Sequence, residues 1–175
     1  MRGPLYLAAF LLLLSACHAP GGDRVLYEGS WQGRVPAPRG PVVLTVVTSE
    51  GTYPLDEAAL KELTWVERKT VYHPEEKSGK VGVFEGVLLS TLLKELGERE
   101  PLRLRFEALD GYVIGVEWAT IAPFDPLLAL VQDGKPIPKE YGPVRIIFPY
   151  HRLKPDPVAY NAYWVWQLSR VIVEP

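Results

Sequence analysis

Cysteine occurs once in the 175 residues, at Cys17, so any thiolate chemistry in this chain must be done there or not at all. The three histidines offer little more. His18, His73 and His151 stand far apart, and no pair has the spacing of metal ligands on one helix or strand. A lone histidine before proline, as in His73-Pro74, is more often an exposed polar residue than a ligand. Glu75, Glu76, Glu98 and Glu100 lie in polar surroundings beside Lys77 and Arg99, which marks a solvated face rather than a paired acid and base. No glycine-rich phosphate loop and no nucleophile elbow is present. Tyr150, Tyr160, Tyr163, Trp164 and Trp166 crowd the C-terminal region. Such a cluster either walls a pocket for a flat ligand or packs as ordinary core, and core packing is the commoner outcome.

Where Cys17 sits gives its thiol a different use. Arg2 is followed by the unbroken apolar run Leu5 to Leu14, then by Ser15, Ala16 and Cys17. The run is too short for a bilayer core, which needs about 20 helical residues. It has the length of a secretory signal core. Leu14-Ser15-Ala16-Cys17 resembles the lipobox of bacterial lipoproteins, which implies cleavage before Cys17 and acylation of its thiol. Residues 1–16 are then a leader, 17–40 a lipidated cysteine with a tether and N-terminal extension, and 41–175 the domain. The expected location is extracytoplasmic, in the periplasm or cell envelope, with the membrane as partner through the lipid on Cys17.

Loss of Arg2 with the leader leaves 18 Lys and Arg against 21 Asp and Glu. That balance carries no basic stripe for nucleic acid. A lipidated Cys17 also leaves the domain without a disulfide or a free thiol, which a core of this size tolerates.

Several elements are legible in the pattern. Residues 18–24 read as a tether and 35–41 as a loop. Pro41 to Val47 is a strand, and Leu55, Ala59, Leu60 and Leu63 have helical spacing with Asp56 as the cap. Thr64 to Tyr72 alternates as a strand, and Val81 to Phe84 is a short one. Gly86 to Leu96 reads as a leucine-faced helix closed by Gly97. Leu102 to Ala108 and Tyr112 to Val116 form a hairpin across Asp110-Gly111. Asp133-Gly134 is another turn after the apolar segment Pro126 to Val131. Val144 to Phe148 is a buried strand interrupted by Arg145, and Trp164 to Val173 is the last strand, or a turn and a strand. The sum is an α+β domain, a strand-rich mixed sheet with two or three short helices.

Phe84-Glu85-Gly86-Val87-Leu88-Leu89, Ala108-Leu109-Asp110-Gly111-Tyr112, Leu127 to Leu130, Asp133-Gly134-Lys135-Pro136, Gly142-Pro143-Val144-Arg145 and Trp166-Gln167-Leu168, in that order, resemble one family. It is the oxidoreductase molybdopterin-binding domain, the fold of sulfite oxidase and its bacterial relatives. The resemblance runs over roughly residues 42 to 173 and is nearest to the small stand-alone secreted members. In catalytic members a cysteine thiolate, suited to a soft redox metal, ligates molybdenum just before the Phe-x-Gly-Val-x-Leu stretch. The corresponding residues here, Lys69 to Ser78, contain none.

The resemblance implies cofactor contacts at Arg145, with Tyr141 standing where sulfite oxidase has histidine, and at His73, Tyr112 and Trp166. Val165 replaces a basic residue often found before that tryptophan. Arg145 could equally be a strand-end arginine in a salt bridge. No catalytic residue and no metal ligand is assigned. Molybdopterin is the cofactor the resemblance implies, yet the missing thiolate leads us to expect none. A cofactor loaded before export would need a folded-protein signal, and the leader has no Arg-Arg pair. The expected function is a non-catalytic module that binds a small ligand or an envelope protein. The alternative is a molybdopterin-dependent oxidoreductase with non-cysteine ligation.

Overall fold

A computed structural model describes residues 23–73, 79–150 and 156–174. The strands in chain order are β1 (Arg24–Tyr27), β2 (Val42–Thr48), β3 (Gly51–Asp56), β4 (Trp65–Val71), β5 (Val81–Leu88), β6 (Arg103–Ala108), β7 (Val113–Glu117), β8 (Leu127–Gln132), β9 (Lys135–Pro136), β10 (Arg145–Ile147) and β11 (Leu168–Glu174). Among the described residues four short helices join them: α1 (Glu57–Lys61), α2 (Leu89–Glu95), α3 (Trp118–Ile121) and α4 (Pro157–Tyr160). One sheet has the order β1-β4-β5-β8-β10 with β9 beside β8, and the other the order β3-β2-β11-β6-β7. Only β2 and β11 run parallel among the described pairs, so the fold is the mixed, strand-rich α+β type that the sequence predicts. One continuous buried cluster draws Phe84, Val87 and Ile146 from the first sheet and Leu44, Phe106 and Val171 from the second.

Local chemistry explains most boundaries. Asp56 caps α1 by accepting from the Ala59 amide at 2.7 Å. The same carboxylate also accepts from Arg39 N at 2.6 Å and Gly40 N at 2.9 Å, which pins the proline-rich loop to the helix start. The Ala59 amide foremost, then that of Arg39, hold its carboxyl below the usual range, against the opposing effect of burial. A depressed folded-state value contributes stability above the unfolded-state value, about pH 3.9, that is lost as pH falls through the folded one. Urea unfolding of Asp56→Asn should therefore show a shallower loss of stability below about pH 4 than the parent. An unchanged acid limb would contradict this role.

Gly97 closes α2 with φ 83°, and Gly111, Asp133 and Gly134 take φ 90°, 51° and 74° in the two expected turns. The leucine helix begins later than the sequence suggests. β5 runs on to Leu88 and α2 starts at Leu89, so Gly86 lies within a strand and opens no helix. A Cβ at Gly86 would stand 2.0 Å from the Leu128 carbonyl oxygen, so only glycine lets β8 pass this close.

Asp23 and Arg24, read above as the end of a tether, belong to the folded domain. Asp23 is 2% exposed and Arg24 opens β1. Arg68, from the inward face of β4, grips Asp23 with Nε at 2.8 Å and Nη2 at 2.6 Å. It also donates to the carbonyls of Ile147 and Asp125, at 2.8 and 2.9 Å. Residues 1–22, with Cys17 and His18, lie outside the described residues, as do Glu75, Glu76, Lys77 and His151.

Candidate functional site

Strand ends meet to form one cleft. β4 delivers Tyr72 and His73 as it ends, and Lys80 enters β5 beside them, because Val71 pairs with Val81. β8 ends at Gln132, fixed by the Asp133-Gly134 turn and by pairing with Phe84. β10 begins at Arg145, just after the cis peptide Gly142-Pro143. Trp166 comes from the loop before β11. The loop is stitched in place by Gln167 N donating to Tyr141 O at 2.8 Å, and by Ile146 N donating to Val165 O at 2.9 Å. Gln167 itself takes φ 50°, an uncommon conformation for a side-chain-bearing residue, immediately beside Trp166.

The cleft has a volume of about 490 Å³ and is lined by Tyr72, His73, Lys80, Gln132, Tyr141, Arg145 and Trp166. That is the size of a small-molecule site. Arg145 is its centre. The residue is only 3% exposed. Its guanidinium carbon lies 5.3 Å from the ring centre of Tyr141, 5.5 Å from that of Trp166 and 5.8 Å from that of Phe84. Its Nη2 donates to the Tyr72 carbonyl. The described contacts, aromatic faces and a carbonyl, orient a permanent cation toward the cleft.

The walls are aromatic. Tyr141 meets Trp166 edge-on at 4.9 Å, and His73 meets Trp166 and Trp164 edge-on at 5.7 and 5.8 Å. Lys80 Nζ stands 4.8 Å over the Tyr72 ring. The Tyr72 hydroxyl donates to the Asp133 carboxylate. That hydrogen bond foremost, with burial, raises the phenol above its ordinary value. Burial opposes ionisation of Asp133, but the Tyr72 hydroxyl and the Val83 amide outweigh it and hold the carboxyl low. The Asp133 carboxylate is therefore engaged by Tyr72 and Val83. Gln132 Oε1 is buried and has no hydrogen-bond partner among the described residues, so it is an acceptor for a ligand N–H.

Four of the five residues singled out from the sequence, Arg145, Tyr141, His73 and Trp166, come together here. Tyr112 does not line the cleft. Its hydroxyl donates to Ala162 O at 3.0 Å, because the Asp110-Gly111 turn sends it toward the helical loop after α4. The C-terminal aromatic cluster divides in the same way. Trp166 faces the cleft, whereas Tyr160 packs 5.0 Å from Phe124 and Trp164 packs 5.7 Å from Phe148 as core. Tyr72, Lys80 and Gln132 were not legible as site residues. The signal for them was positional, since each stands at a strand end next to a turn or a glycine.

The family model described as the oxidoreductase molybdopterin binding domain matches residues 61–155. The match covers more than half of the chain, and the chain belongs to this family. No curated protein matches it.

The donor set fits the family's cofactor only in part. A buried arginine, a nearby lysine, aromatic walls and an amide acceptor suit a flat anionic organic body. The metal end lacks its ligand, because no cysteine occurs after Cys17. Among the described residues no three His, Cys, Asp or Glu side chains gather to hold a metal.

Proposed function

We propose that this chain is a lipid-anchored, extracytoplasmic binding module of the molybdopterin-binding family, whose cleft takes a small planar anion and holds no thiolate-ligated molybdenum. The observation that carries the reading is Arg145, buried at the cleft centre between Tyr141, Trp166 and Phe84. A planar, permanent cation held between aromatic faces suits a planar anion that can also stack on the rings. The missing thiolate in Lys69 to Ser78 and the leader without an Arg-Arg pair support a role without catalysis. The Leu14-Ser15-Ala16-Cys17 sequence supports the anchor.

Calorimetric titration with pterin-6-carboxylate, and with uncharged pterin as control, tests the cleft. Arg145→Gln should weaken binding of the carboxylate roughly 10- to 100-fold, the worth of one hydrogen bond to a charged group. Binding of the uncharged control should change far less. Equal losses for both probes, or no binding of either by the parent, would overturn the reading.

A further inference from the structure

We infer that the cleft-bearing end of the domain docks on an anionic phospholipid surface, with the aromatic and lysine residues around the cleft mouth as the contact. The inference rests on the lipid-anchor reading above and adds an orientation to it. β1 runs antiparallel to β4, with Arg24 opposite Glu67 and Val25 opposite Val66. Asp23 therefore continues β1 in the direction β4 runs, toward Tyr72 and His73. Asp23 is clamped beside Arg68 by the bidentate ion pair. From Arg68 to Tyr72 a strand advances about 13 Å. The six residue steps from Asp23 back to Cys17 reach about 20 Å at most. A lipid on Cys17 thus has the cleft end within its reach.

The same end carries the chemistry of a membrane interface. Val81 next to Lys80, Leu109, Tyr112 and Trp166 are 44%, 64%, 42% and 40% exposed. Leu109 N donates to Gln167 O at 2.9 Å, which places the Leu109-Tyr112 turn beside Trp166. Exposed Trp and Tyr beside aliphatic residues suit the headgroup layer. Lys80 lines the mouth, Lys135 pairs with the lining residue Gln132, and the Lys139 carbonyl accepts from Gln167 beside Trp166. All three lysines are exposed, as are the carboxylates Asp110 and Glu140, while Asp133 is engaged by Tyr72. Lysines at that level favour anionic lipid.

The test uses the full lipidated protein in phosphatidylcholine vesicles, with and without phosphatidylglycerol. Since Cys17 is the only native cysteine, an introduced one can be labelled alone once Cys17 is acylated. Leu109→Cys reports the cleft end, and Leu102→Cys, 67% exposed at the far end of β6, reports the opposite end. With a fluorescent label on each, a lipid-phase quencher should act severalfold more strongly at position 109 than at 102. The difference should grow with phosphatidylglycerol and shrink in the Lys80→Gln, Lys135→Gln, Lys139→Gln variant. Acylated protein with both labels equally in water would overturn this inference and leave the anchor standing. Protein with no acyl mass on Cys17 would overturn the anchor and this inference together, while leaving the cleft's ligand reading to its own titration.

Discussion

Asp23→Ala is expected to remove about 3–5 kcal/mol of stability, because it strands a buried guanidinium without its counter-charge. Arg68 and Asp23 have side chains only 1% and 2% exposed, and two of their contacts form a fork at 2.8 and 2.6 Å. An exposed pair would contribute about 0–1 kcal/mol, so burial decides the size of the effect. The surface pairs of Arg103 and Arg105 with Glu174, at 3.4 and 3.6 Å and each at least 31% exposed, belong to that weaker class. The double variant Asp23→Leu, Arg68→Met should recover much of the loss, since removing both charges also removes the unpaired one. Recovery will be incomplete, because Arg68 also satisfies the Ile147 and Asp125 carbonyls. Urea unfolding of both single variants and the double gives the coupling directly. A loss below about 1 kcal/mol for Asp23→Ala would mean that β1 is peripheral to the folded domain.

Gly86→Ala should be similarly damaging, at about 3 kcal/mol or more, by overpacking. The added methyl would meet Leu128 O at 2.0 Å and Ala129 Cα at 2.9 Å, and both are backbone atoms that cannot swing aside. The consequence extends to the cleft, since β5 and β8 together fix Lys80 and Gln132. Gly97→Ala is the contrast. Nothing lies within 4 Å of its Cβ, so only the positive φ matters, at about 1–2 kcal/mol. Thermal and urea unfolding of the two variants should separate them clearly. Equal effects would mean that β8 yields at Gly86.

What the sequence disclosed follows from how local each feature is. The Asp56 cap, the Gly97 stop, both Asp-Gly turns and the alternating hairpin of β6 and β7 depend on neighbours within a few residues. The start of α2 did not, because Val87, Leu88, Leu89, Leu92 and Leu93 are all buried, first as strand and then as helix. An apolar run buried on every side has no period to mark the switch. β1 escaped notice for a related reason. Four residues make a weak pattern, and the partner that fixes Asp23 lies 45 positions away. Arg68 gave no local signal either, because Glu67 and Lys69 flank it with charges of their own. In the cleft, Arg145, Tyr141, His73 and Trp166 were found through family resemblance. Tyr72, Lys80 and Gln132 became evident only when the strand ends converged.

We propose a cleft that seats a planar anion and holds no thiolate-bound molybdenum. The direct measurement is molybdenum by mass spectrometry, with pterin fluorescence, on mature protein purified from a host that makes molybdopterin. Molybdenum should be far below one atom per chain, with the planar-anion titration still dependent on Arg145. Stoichiometric molybdenum together with pterin would contradict it, and would make the chain an oxidoreductase whose metal is held by something other than cysteine.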